Sequence, residues 1–298
     1  MPEPFLYLQA ILAAGGASAV LMLALGRVAF SGSARRIHLA CIAAMALGLA
    51  LGCCLLRVPV RWPPANGLDR LLTIVLPGAF VVELLAGRGR NRPWLVWCLR
   101  FALAMSIGGV LLHASVYVAG GPTAWTTGRK AAVLTTCGGL LTAACGLLIW
   151  LTRRGPGVSI SLALSQAALC GGMTVMMGGY LAGGEAALSL AGALAGTAIG
   201  TRLIADRPSA EAAVGIGVVA LFGLLFVGRF FGALSTGRAL TIFLAPLLCW
   251  ATETPLLRCQ NHWLVTGLRL ALVAVPLLVV LALAKQDFDR DMLPLLGR

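Results

Sequence analysis

From Val158 to Ile204 the chain carries only two charged side chains, Glu185 and Arg202, among Ala, Gly, Leu, Val, Met and Ser. A segment of this kind cannot be the surface of a water-soluble fold, but it matches what lipid demands. A hydrocarbon layer of about 30 Å needs roughly 20 apolar residues in a helix. The sequence Leu181-Ala-Gly-Gly-Glu185-Ala divides the stretch into two runs of that length, a helical hairpin. In the second run Gly192, Gly196 and Gly200 recur at spacing four and share one helix face. A face without side chains admits another backbone closely, which is how lipid-embedded helices associate. The hairpin is therefore expected to be the packing centre of a bundle.

The rest of the chain agrees. Hydrophobic residues make up 59% and charged residues 11%, with a mean hydropathy of +0.94. Soluble domains are typically about a quarter charged. No stretch is long enough to hold a soluble domain, so residues 1–298 read as one all-α polytopic integral membrane domain. The net charge of +13 comes from Arg and Lys scattered over short connections. That pattern suits anionic lipid headgroups and topology control, and it lacks the contiguous basic face that nucleic acid requires.

Ten spans are expected, with nine as the alternative. They run 5–30, 37–56 (with Gly48 and Gly52 at close-packing spacing), 71–86, 93–119, 131–151, 158 to 204 as the hairpin, 212–227, 239–250 and 263–284. The stretch 239–250 is short of a full span and reads either as one that borrows flanking residues or as a buried half-helix. The start Met-Pro-Glu-Pro lacks the basic region of a cleavable signal, so the first run is expected to persist as a helix. All seven Trp fall at expected span ends or in connections, the distribution of an interfacial aromatic belt. Basic residues in connections divide almost evenly between the two faces. The early turns and the near-end Arg27, Arg100, Arg202 and Arg269 tip the balance toward an N-terminus outside a bacterial-type inner membrane.

Buried ionisable groups in a membrane are costly and so mark candidate sites. Glu83 is the acid placed clearly within a span, with Arg100 on the next. Counted from the turn between them, they lie about 6 Å and 11 Å deep. A Glu83–Arg100 pair locking two helices is the expectation, and a substrate or proton site at Glu83 the alternative. His113, in the outer half of the fourth span, is a candidate for polar lining.

Metal and catalytic motifs fail on spacing. Eight of the Cys lie in or beside apolar runs as small hydrophobes, and only Cys259 falls clearly in a connection. Three dispersed His lack a zinc spacing. Met173, Met176 and Met177 are soft ligands in principle but read as gap-fillers beside glycine. The tail Asp287-Phe-Asp289-Arg-Asp291 lacks a calcium loop's glycine, and 120–130 lacks the ending of a phosphate loop. No cofactor is implied, and an enzyme is the least favoured class.

Two functions compete. One is a permease for a neutral or amphipathic small solute, with halves 5–151 and 158–284. The other is a non-catalytic subunit of a membrane complex, or a homo-oligomer, held by its glycine faces.

Overall fold

Helix accounts for nearly all of the chain outside its connections, and no strand occurs among the described residues. The computed structural model describes residues 4–28, 34–89, 92–115, 117, 125–154, 157–204, 210–253 and 262–292. Helices α1 (Pro4–Val28) and α2 (Ala34–Leu55) are followed by α3 (Gly67–Arg88), α4 (Pro93–Leu111) and α5 (Thr127–Arg154). Then come α6 (Gly157–Met177), α7 (Leu181–Ile204), α8 (Glu211–Phe231), the short α9 (Thr236–Leu244) continued by a 3-10 helix (Ala245–Glu253), and α10 (His262–Met292). Among the described residues nine helices are long and apolar enough to cross a membrane, all of these except α9. The fold is an all-α polytopic bundle.

Two prolines explain its irregularities. Pro77 has no N–H for the carbonyl four residues back, and the turn before it, Leu71–Val75, widens into a π-helix. The third crossing thereby runs unbroken from Gly67 and is 22 residues long, and α8 is 21. Neither is the short span expected at 71–86 and 212–227. Pro246 acts more strongly: α9 stops two residues before it, and the chain continues as a 3-10 helix.

That broken segment traverses the bundle. Arg238 at its start donates to the Asp287 carboxylate and to the Leu283 carbonyl of α10. Thr252 and Glu253 at its end accept from Arg269 of the same helix. Residues 269 and 287 are separated by about 27 Å along a helix. Nine α-helical and nine 3-10 residues reach about 31 Å. The region 239–250 thus extends by borrowing residues on both flanks, as one of the two expectations had it, and reaches a span's length in two helical geometries.

The centre of the bundle holds the expected α6–α7 hairpin, with α8 enclosed beside it. Every residue of α8 from Ala212 to Gly228 is buried, so it is the most enclosed helix. The α6–α7 hairpin packs beside it. Its turn falls at Gly178-Gly179-Tyr180, where Gly179 has φ +82°, a conformation that favours glycine. Glu185, placed by the sequence in the dividing segment, lies inside α7.

The glycines of α7 face α1. A Cβ added at Gly196 would lie 1.9 Å from the Gly15 carbonyl oxygen, one at Gly192 2.5 Å from that of Ile11, and one at Gly200 2.7 Å from the Met22 side chain. On α2, Gly48 sits against Ser18 of α1 and Gly52 against Ser189 of α7. Ser18 crosses this contact to donate to the Ala44 carbonyl at 2.9 Å.

Candidate functional site

Glu83 and Arg100 face each other across the turn that joins α3 to α4. Glu83 is five residues before the end of α3 and Arg100 seven after the start of α4, depths of about 7.5 Å and 10.5 Å. The guanidinium engages the carboxylate with both arms: Nε donates to Oε1 at 2.9 Å and Nη2 to Oε2 at 2.7 Å. Both residues are buried. Gly215 of α8 lies directly beneath the carboxylate, where a Cβ would come within 2.3 Å of Oε1. The Trp97 ring lies 5.2 Å from the guanidinium carbon. On the other side His38 of α2 meets the Glu83 carbonyl through Nε2 at 2.8 Å and ties α2 to α3.

A cavity of about 10 Å³ lies against the pair, lined by Glu83, Trp97, Arg100, Thr142, Cys145 and Gly215 among others. That is space for roughly one water. Two paired charges in so small a space act as a clamp on α3, α4, α5 and α8.

A second buried cluster was not read from the sequence. Arg269 of α10 is one of the most deeply buried side chains. Its Nε donates to Thr252 Oγ1 at 2.7 Å, Nη1 to Ser159 Oγ at 3.0 Å and Nη2 to Glu253 Oε1 at 2.5 Å. Three elements, α6, the 3-10 helix and α10, meet on this one guanidinium. The available signal was an Arg seven residues into an apolar run, counted above only as a near-end charge.

Glu185 is the other residue the sequence placed differently. It is buried in the second turn of α7. His113, the candidate for polar lining, lies beyond the end of α4 and is exposed. The physical reason is Arg70, whose Nη1 donates to the carbonyls of both Leu111 and His113. It caps the helix, and Ala114 then turns away with φ +54°.

The expected methionine role has a direct counterpart. A Cβ at Gly184 would lie 2.2 Å from Met176 Cγ, so that side chain fills the gap the glycine leaves. Among the described residues no group of three or more His, Cys, Asp or Glu is placed to hold a metal ion. Compared with protein-family models, curated proteins and solved structures, the chain matches none.

Proposed function

We propose that this chain is a permease, carrying a small neutral or amphipathic solute past its broken crossing. The observation that supports this reading is the segment from Thr236 to Glu253, interrupted at Pro246 near its middle and tied to α10 at both ends. Discontinuous crossings recur where membrane proteins bind solutes at mid-depth, because a broken helix frees backbone polar groups there. Counting that segment, a division after residue 151 leaves five crossings in each half. The basic turns between α3 and α4 and after α5 would face the cytoplasm, with the N-terminus outside a bacterial-type inner membrane and anionic headgroups against the Arg-rich connections.

The test uses Cys249, fully buried in the 3-10 helix. The full chain is placed in sealed vesicles of both orientations and treated with a membrane-impermeant maleimide, with Cys249 followed on its own peptide by mass spectrometry. A permease exposes this crossing to each face in turn, so Cys249 reacts from both. Reaction from neither face supports the non-catalytic subunit instead.

A further inference from the structure

Glu185 of α7 is a buried acid that neither Arg100 nor Arg269 reaches. It lies four residues beyond Leu181, about 6 Å into the helix, and shares one face with Ser189, Gly192 and Gly196. That face fixes its neighbours. Gly192 lies against the Ile11 carbonyl of α1 and Gly196 against that of Gly15, so α1 and α7 run parallel. Seven residues back, Glu185 is level with Pro4 at the start of α1. Ser189 sits against Gly52 of α2 and Ala193 against Gly48, so α2 runs antiparallel to α7. Glu185 is therefore also level with Leu56, just past the end of α2 and itself buried.

The other enclosed acids have donors. Glu83 takes two N–H groups from Arg100, and Glu253 takes one from Arg269. Asp69 takes the backbone N–H groups of Arg61, Ala65 and Asn66. Among the described residues none donates to the Glu185 carboxylate; Ser189 donates to its backbone carbonyl. The elements packed around it supply no cation either. α1 presents Tyr7 and α2 presents Cys53, both uncharged near neutral pH. Cys54 and Arg57, at and beyond the end of α2, are exposed. α6 has no charged residue, and Tyr180 in the turn before α7 packs on Gly183. At this end of α8, Arg229 is exposed and donates to Thr236.

An ionised carboxylate in this setting loses its water and gains no cation or donor in exchange. The positive ends of α1 and α7 lie at the same level, but a helix end favours an anion far less than desolvation disfavours it. A proton removes the charge and needs no cavity to hold it. Unpaired acids in membrane segments mark proton and ion paths. We propose that Glu185 is a proton-binding site, loaded from the face where α1 begins, and that this proton is the ion coupled to transport. The site stands on burial and the missing cation, whereas its coupling deepens the permease reading and rests on it.

The test uses the full chain in sealed vesicles and N,N′-dicyclohexylcarbodiimide, a lipid-soluble reagent that modifies carboxyls carrying a proton. Each glutamate is followed on its own peptide by mass spectrometry. Glu185 is expected to be modified, and Glu83 and Glu253, paired with their arginines, to be spared. Raising the pH on both sides should reduce Glu185 modification until it falls about tenfold per pH unit, as the acid form does beyond its titration. No modification of Glu185, equal modification of Glu83 and Glu253, or modification that does not fall with pH would overturn the site. These readings come from the native chain, so they do not depend on a variant that folds. Coupling is read at Cys249, with the impermeant maleimide on the face opposite the start of α1 at one fixed pH. Acidifying only the other compartment is expected to change the Cys249 labelling rate in the native chain but not in Glu185→Gln. A rate that ignores the acidified side, or responds equally in Glu185→Gln, removes the coupling and leaves the site. Labelling of Cys249 from neither face removes the permease reading and the coupling with it, while the carbodiimide still decides the site.

Discussion

Arg269 reaches Glu253 with its Nη2 at 2.5 Å from inside the bundle, where only 2% of its own side chain is exposed. The two residues come from different crossings, and the pair holds the 3-10 helix against α10. Since the backbone of that crossing is interrupted at Pro246, this contact does what helix continuity does elsewhere.

Removing one partner should therefore be severe. Arg269→Ala removes the guanidinium that joins Glu253, Thr252 and Ser159, a loss of about 3–5 kcal/mol for a buried pair. Replacing both residues together, Arg269→Leu with Glu253→Leu, should recover most of that loss. Melting temperatures in detergent for the two single variants and the double decide it, and additive losses would argue against a coupled pair.

The Glu83–Arg100 clamp predicts the same sign with a different neighbour. Glu83→Ala strands the Arg100 guanidinium in apolar surroundings and should cost about 3–5 kcal/mol. Gly215→Ala should also destabilise, because its methyl would meet the Glu83 carboxylate at 2.3 Å. If Glu83→Ala erases the further effect of Gly215→Ala in a double-mutant cycle, the clash is with that carboxylate; if both effects persist in full, it lies elsewhere.

Glycine substitutions on two faces should have opposite outcomes. Gly196→Ala would put a methyl 1.9 Å from the Gly15 carbonyl oxygen and force α1 away from α7. Gly139 of α5 has nothing within 4 Å of an added Cβ, so Gly139→Ala should gain up to about 1 kcal/mol from helix propensity. Thermal unfolding of the two variants gives the comparison, and a neutral Gly196→Ala would contradict the close contact.

Alkaline stability should depend on Tyr180, in the turn between α6 and α7. Burial, and secondarily the Asp69 charge, push its phenol from 10.0 up to about 12. A folded-state value above the unfolded one means that the native state holds the proton longer. This contribution is intact below about pH 10 and is lost as pH rises from there toward 12. Between those values the melting temperature of the native chain should fall more steeply than that of Tyr180→Phe.

The Glu83–Arg100 geometry was legible because it is local. Two charges flanking one short turn, each within two helical turns of it, have few ways to avoid each other in lipid. The Arg269 cluster was not, since Ser159 and Arg269 are more than a hundred residues apart and nothing in either neighbourhood names the other. His113 was misjudged for a related reason. Its apolar neighbours continue to residue 119, whereas the stop signal for α4 is Arg70, on another helix. Glu185 was misplaced because two adjacent glycine pairs, 178–179 and 183–184, compete for one turn, and the positive φ settled on Gly179.

What this sequence determined unaided is its solvent. Long runs without charge must satisfy their backbone internally once in hydrocarbon, and helices do so from local bonds alone, so the class of fold follows from composition and run length. The order of enclosure, with α8 innermost, and the joining of Arg269 to three separate elements were decided only by tertiary packing. Contacts of that kind depend on which faces meet across the bundle, and the energies that choose among apolar faces are too similar along the chain to be read before the helices are assembled.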